Sequence, residues 1–120
     1  MYFDFALVAK FYVCEPARDA VRQVAIRPGN VATSGVTVAE VSAAFHRKLC
    51  EGALTVAEHP ALQGQFAHDV EHGLWTMVGP TEALLLDVRA LYARLDRSVF
   101  LRAMDALHVV TAQAESFDTA

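Results

Sequence analysis

Short apolar runs alternate along the chain between the spacing of an amphipathic helix and that of a buried strand. The first run covers residues 1–13 and is interrupted only by Asp4 and Lys10. Later runs are separated by local breaks, such as the Pro-Gly-Asn turn predicted at residues 28–30. The pattern predicts helices over residues 17–27, 37–50, 55–72, 82–95 and 102–115, and strands over residues 31–34 and 74–78.

Strands separated by helices favour an α/β fold in which the strands lie side by side in a parallel sheet. The opening apolar run supplies the first strand and a helix after it, so the predicted order is β-α-α-β-α-α-β-α-α. A parallel sheet of only three strands is thin. We therefore expect at least one more strand to follow the last helix.

Two predicted helices indicate which surfaces they bury. The helix over residues 102–115 is apolar on almost every side, which predicts that it is buried all round. The helix over residues 37–50 carries one continuous apolar stripe, which we expect to face the core. That stripe consists of Val38, Val41, Phe45 and Leu49.

The composition indicates one compact domain over residues 1–120 and makes intrinsic disorder improbable, since 54% of the 120 residues are hydrophobic and 20% are charged. The net charge of −4 disfavours a protein that holds nucleic acid by bulk positive charge, but it is compatible with a metal-dependent nuclease.

The longest uncharged stretch, residues 28–39, is shorter than the roughly 20 residues of a membrane-spanning helix. No basic segment typical of a signal peptide opens the chain. Cys14 and Cys50 form no motif, which favours the reducing cytoplasm.

Three carboxylates stand in apolar surroundings, where an ionised acid is costly. Asp4 is the only charge among the first nine residues, Glu40 follows the uncharged stretch, and Asp105 lies in the apolar last helix. In a doubly wound sheet, strand ends and helix starts meet at one crevice, so we expect these acids to converge there. Converging carboxylates repel one another unless a cation lies between them. An all-oxygen site of this kind suits Mg²⁺ or Mn²⁺.

Each acid also has a purely structural interpretation. Residues 37–40, Thr-Val-Ala-Glu, fit a capping box in which Glu40 closes the helix start. Asp105 has Arg102 three residues before it as a possible ion-pair partner. Asp4 is compatible with a buried turn acceptor. Spacing alone leaves these alternatives open beside the metal site.

Other polar residues have two interpretations as well. His108 lies three residues after Asp105, so it shares that helix face and is a candidate contact for substrate or for the outer shell of a metal. A buried histidine with satisfied hydrogen bonds is the simpler alternative. Arg47, Lys48 and Arg102 are candidate phosphate contacts, and exposed surface charge is the default for each. No glycine-rich phosphate loop supports a nucleotide-binding domain.

Three segments, taken in order, resemble the PIN-domain ribonucleases, particularly the VapC-like toxins of type II toxin–antitoxin pairs. Residues 2–13 are similar to the opening strand and first helix of the family. Residues 33–48, which include Glu40, are similar to its second motif. Residues 101–108, Leu-Arg-Ala-Met-Asp-Ala-Leu-His, are close to the family signature LRALDALH. The order and spacing hold over essentially the whole chain.

The resemblance implies a Rossmann-like three-layer α/β/α PIN domain with a parallel sheet. It implies that Asp4, Glu40 and Asp105 correspond to the first three acidic metal ligands and catalytic residues of the family. The implied reaction is Mg²⁺- or Mn²⁺-dependent hydrolysis of RNA phosphodiester bonds. The implied partners are an RNA substrate, a neutralising protein antitoxin and a second copy of the chain in a homodimer, in the cytoplasm and without a membrane.

Two departures from the family pattern favour an alternative. Phe5 and Ala6 stand where the family commonly has a Thr-Ser pair. The fourth acid of the family follows a segment like the Ser-Phe-Asp-Thr-Ala of residues 116–120, so we expect the C-terminal strand or strands to be missing from this chain. The alternative is a catalytically impaired PIN-like domain that acts only in antitoxin binding or self-association.

Overall fold

A computed structural model describes residues 1–13 and 18–114 and has the α/β architecture expected from the sequence. Cys14 and the segment 116–120 lie outside the described residues. The elements in chain order are α1 (Phe5–Tyr12), α2 (Arg18–Ala25), β1 (Val31–Ser34), α3 (Thr37–Cys50), α4 (Glu58–Glu71), β2 (Trp75–Val78), α5 (Glu82–Arg94) and α6 (Ala103–Ala114). For every element except α1, the predicted and observed bounds agree within three residues.

A small parallel sheet lies at the centre of the described fold. Strands β1 and β2 pair in parallel, with Val31 opposite Trp75 at one end and Ser34 opposite Val78 at the other. Tyr2 extends the sheet by a single parallel bridge to Ala32. The opening strand of the resemblance is therefore reduced to one bridged residue, because α1 begins at Phe5, only three residues later.

The main core is built from aromatic side chains between the sheet and helices α1, α3 and α4. Trp75 of β2 is 2% exposed and meets the ring of Phe11 edge-on, with centroids 5.3 Å apart. Phe45 of α3 and Phe66 of α4 pack edge-on at 6.3 Å. Edge-to-face pairs of this kind add to the free energy gained from burial alone. A smaller second cluster joins α5 to α6 and consists of the buried residues Leu84, Leu107 and Val110.

Two expectations about burial are wrong. In α3, Val41 and Phe45 are buried as expected, but Val38 is 38% exposed and Thr37 is buried in its place. In α6, Met104 and Asp105 are exposed, so this helix is not buried all round. Helix α6 packs against β1 and α5 on one side only, and the other side of its first turn faces outward.

The connection from β1 to α3 places the first turn of α3 at the carboxyl edge of the sheet. Gly35 donates its N–H to the Val78 carbonyl at 3.2 Å. A Cβ at Gly35 would lie 2.3 Å from the Gly79 carbonyl oxygen, so only glycine fits this close approach. The buried hydroxyls of Thr33 and Thr37 hydrogen-bond at 2.6 Å and tie the strand to the helix. These contacts fix the position of the first turn of α3, which carries Glu40.

Part of the surface is apolar. Phe100 is 86% exposed, and Leu85, Leu86 and Val99 are at least half exposed. Within residues 1–13 and 18–114, no helix combines the length and hydrophobicity needed to cross a bilayer. Leu85 and Leu86 lie on α5, and Val99 and Phe100 lie between α5 and α6.

Candidate functional site

Asp4 caps the N-terminus of α1. Its Oδ1 accepts a hydrogen bond from the Leu7 N–H at 3.1 Å, which satisfies one of the open donors of the first helical turn. The side chain is exposed, so the alternative of a buried turn acceptor is right about the hydrogen bond and wrong about the burial. The carboxylate remains accessible at the start of the helix.

Glu40 does not close a capping box. The Thr37 hydroxyl is paired with Thr33, and α3 has no side-chain cap. The Glu40 carboxylate instead meets His108 of α6, with 2.7 Å between Oε1 and the imidazole Nε2. The capping-box interpretation of residues 37–40 is therefore wrong, because the side chains of Thr37 and Glu40 each bond to a side chain elsewhere in the fold.

His108 joins Glu40 to Tyr2. Its Nδ1 lies 2.6 Å from the Tyr2 hydroxyl, and its side chain is 7% exposed. A carboxylate only accepts hydrogen bonds, so the neutral imidazole satisfies both contacts by donating from Nε2 to Glu40 and accepting at Nδ1 from Tyr2. The histidine is thus both buried and satisfied, and its partner is a candidate metal ligand.

The Tyr2 hydroxyl lies in the electrostatic field of two of the predicted ligands. Burial raises the pKa of Tyr2 to about 12, and the charges of Asp4 and Glu40 act in the same direction. Hydrogen bonds with the Ser34 backbone and the Thr111 side chain oppose this shift. Tyr2 therefore keeps its proton at neutral pH, which the hydrogen bond to His108 requires.

Asp105 lies in the first turn of α6 and faces a cleft. Within the described ranges it makes no hydrogen bond or ion pair, so the alternative of an Arg102 partner is wrong. Glu40, Arg102 and Asp105 line the same open cleft, which has a volume of about 550 Å³. Its remaining lining residues are Phe5, Ala103 and Met104.

The structure brings two of the three predicted ligands to one cleft. Asp4 does not line it, but the next residue, Phe5, does. Across residues 1–13 and 18–114, no three His, Cys, Asp or Glu side chains are grouped closely enough to hold a metal ion. The donors fit Mg²⁺ or Mn²⁺ in chemistry, because all three are carboxylates. Arg102 adds a cation to the cleft, whereas Arg47 and Lys48 lie at the far end of α3.

The sequence reasoning missed Tyr2 and recognised His108 only as one of two alternatives. The spacing of 106 residues between Tyr2 and His108 gives no local signal. One signal was present: Tyr2 and Asp4 are two residues apart, and alternate residues of an extended segment share a face. That placed Tyr2 on the side of the expected crevice.

The chain belongs to the PIN domain family, which matches residues 6–120. PIN domains are generally nucleases and typically use divalent metal ions. Glu40, Asp105 and His108 lie within the matched residues, and Asp4 lies two residues before them. No curated protein matches the chain.

Proposed function

We propose that this protein is a metal-dependent endoribonuclease in which Asp4, Glu40 and Asp105 hold Mg²⁺ or Mn²⁺ and serve as the catalytic acids. The observation that carries the proposal is the open cleft shared by Glu40, Asp105 and Arg102 in a chain of the PIN domain family. Two carboxylates at one opening create negative potential that a divalent cation relieves. A cleft of about 550 Å³ also leaves room for a phosphodiester group beside them.

The chain's own residues divide the work of the reaction. The carboxylates bind the cation, and Arg102 offers a planar fork of donors that suits a phosphate oxygen pair. Phe5 and Met104 contribute apolar surface to the cleft. When bound, the metal would lower the pKa of a coordinated water and stabilise charge on the phosphate. The net charge of −4 makes this local arginine important for binding a polyanion.

The biological role that we propose is that of a VapC-like cytoplasmic toxin, neutralised by a protein antitoxin and able to form a homodimer. Support comes from the resemblance of residues 101–108 to the family signature and from the large apolar side chains that Leu85, Leu86 and Phe100 leave exposed. We propose further that residues 1–120 form a single PIN domain.

A second candidate function is an impaired PIN domain that only binds an antitoxin or itself. Two observations favour it. The described residues contain no closely grouped set of three ligands, and Phe5 and Ala6 replace the hydroxyl pair of the resembled family. In this alternative the acids do not bind Mn²⁺ appreciably, whereas the apolar surface still mediates assembly.

Cleavage of a panel of end-labelled structured RNAs, with and without Mg²⁺, tests the nuclease. We expect Asp4→Asn, Glu40→Gln and Asp105→Asn each to lower the cleavage rate by roughly 10²–10³-fold, the usual scale for removing one stabilising group. Asp19→Asn is the matched control, because Asp19 is an exposed acid on α2, outside the cleft. It should cleave like the wild type.

Equal cleavage by the wild type and by the Asp4, Glu40 and Asp105 variants would contradict the catalytic assignment. Calorimetric titration with Mn²⁺ separates the two candidate functions. Binding that is lost in Asp105→Asn supports the nuclease, and a folded wild type that does not bind Mn²⁺ supports the impaired domain.

A further inference from the structure

The carboxylate of Glu40 is held on one oxygen only. Oε1 lies 2.7 Å from Nε2 of His108, and Nδ1 of the same ring lies 2.6 Å from the Tyr2 hydroxyl. In the part of the chain that the structure describes, Oε2 has no hydrogen-bond partner. Glu40 is 18% exposed and lines the cleft, so this open oxygen belongs to the surface of the candidate site.

The fold of α3 does not depend on this contact. The helix start is tied to the sheet by the Thr33–Thr37 hydroxyl pair and by the Gly35 N–H bond to Val78. Val41 and Phe45 anchor the same helix in the aromatic core with no exposed surface. The hydrogen bonds of His108 therefore act on the side chain of Glu40 more than on the position of its backbone.

A held carboxylate binds a cation better than a mobile one. A glutamate side chain has several rotatable bonds, and ordering it on binding costs conformational entropy. A buried imidazole that already fixes one oxygen removes part of that cost before the cation arrives. Tyr2 at the sheet edge orients His108 of α6, and His108 in turn orients the carboxylate of Glu40 on α3.

Taking the proposed function as its basis, we propose that His108, oriented by Tyr2, is a positioning residue that presents Oε2 of Glu40 to the cation in the cleft. Partners behind a ligand commonly change metal affinity when they are removed, even though they never touch the metal. The role predicted here is therefore one of affinity and geometry, with no step of bond making or breaking at the imidazole.

Mn²⁺ titration of two variants at the same position tests the proposal. His108→Leu removes both hydrogen bonds, and we expect it to weaken Mn²⁺ binding by roughly 10–100-fold. His108→Gln keeps an N–H donor near the former Nε2, so it should recover most of the wild-type affinity. Urea unfolding of each variant checks that the protein titrated is folded.

Tyr2→Phe provides a milder variant and a measurement that needs no metal. Long-range ¹⁵N NMR of the metal-free protein should show His108 as the Nε2–H tautomer, because the Glu40 carboxylate can only accept a hydrogen bond. Tyr2→Phe removes the hydrogen bond at Nδ1 and leaves the Glu40 contact that selects this tautomer. It should keep the Nε2–H tautomer and weaken Mn²⁺ binding less than His108→Leu does.

The outcomes separate this proposal from the proposed function. A wild type that binds Mn²⁺ and a folded His108→Leu that binds it equally well would overturn the positioning role and leave the nuclease intact. An Nδ1–H tautomer in the wild type would overturn it as well. A wild type that does not bind Mn²⁺ would overturn both, while loss in His108→Leu with recovery in His108→Gln supports both.

Discussion

Two tyrosines of this protein stand in similar hydrogen-bond networks that end differently. In the aromatic core, the Tyr12 hydroxyl accepts from the Trp75 indole at 2.8 Å and donates to Oδ2 of Asp69 at 2.7 Å. The other oxygen of Asp69 accepts from Gln65 at 2.9 Å. Both oxygens of that carboxylate are therefore engaged by side chains.

At the cleft, the network that starts at Tyr2 ends on a carboxylate with one oxygen open. Both tyrosines have a pKa raised by burial, so both hydroxyls remain donors at neutral pH. The difference lies in the last member of each network. Both carboxylate oxygens of Asp69 accept hydrogen bonds from side chains, whereas one oxygen of Glu40 remains open to bind a cation. The comparison teaches that a carboxylate half engaged at an opening is the better candidate ligand.

The largest effect that separates the two regions should come from the aromatic core. Phe45→Ala removes a fully buried ring that contacts Tyr12 and Phe66, and we expect a loss of about 3–5 kcal/mol in the free energy of unfolding. Urea unfolding measures this loss. Phe100→Ala is the matched control, because Phe100 is 86% exposed and its truncation should change stability by less than about 0.5 kcal/mol. Similar costs for the two variants would contradict the packing described here.

The next effect concerns the tyrosines themselves. Tyr12→Phe leaves the buried Trp75 indole N–H without its acceptor, which should cost about 1–3 kcal/mol in the free energy of unfolding. The folded variant should bind Mn²⁺ as tightly as the wild type, because Asp69 is outside the cleft. Tyr2→Phe should do the reverse, with the larger change in Mn²⁺ affinity. Weaker Mn²⁺ binding by folded Tyr12→Phe would remove the distinction between the two networks.

The sequence predicted the elements well and their surroundings less well. Strand 31–34 and helix 37–50 have the expected bounds, because turn residues and apolar periodicity are local signals. The exposure of Asp105 was not predicted, because an apolar helix sequence does not say how many of its sides find a partner. Residues that meet across long separations, such as Tyr2 and His108, leave no periodic trace in one sequence.

Helix capping also shows that a local sequence motif does not reveal its tertiary partners. The pattern Thr-x-x-Glu occurs at residues 37–40, where a capping box was one of the interpretations left open, and at residues 55–58, where one forms. At the first position the Thr33 hydroxyl and His108 engage Thr37 and Glu40 instead. At the second position both residues are exposed and have only each other. Side chains from elsewhere in the fold, which the motif itself does not reveal, decide whether the capping box forms. At residues 37–40 they leave Glu40 as a candidate ligand.

The smallest effect tests the second of these glutamates. The Thr55 N–H donates to Oε1 of Glu58 at 2.9 Å, and the Glu58 N–H donates to the Thr55 hydroxyl at 3.0 Å. These hydrogen bonds, the backbone one first, lower the pKa of Glu58 below the usual glutamate value. A carboxyl with a lowered folded-state pKa adds stability above its unfolded-state pKa and loses it as the pH falls through the folded-state pKa.

Glu58→Gln keeps an acceptor in the capping box and removes only the charge. The wild type should therefore unfold at a higher urea concentration than Glu58→Gln at pH 7, and the gap should close toward pH 3. The gap should be small and should narrow in high salt, because Glu58 is fully exposed. Glu51→Gln is the matched control for the loss of one negative charge, since within the described residues the Glu51 carboxylate makes no hydrogen bond. A gap for Glu58→Gln that is the same at both pH values would mean that the charge does not contribute, and that the box is held by its neutral hydrogen bonds alone.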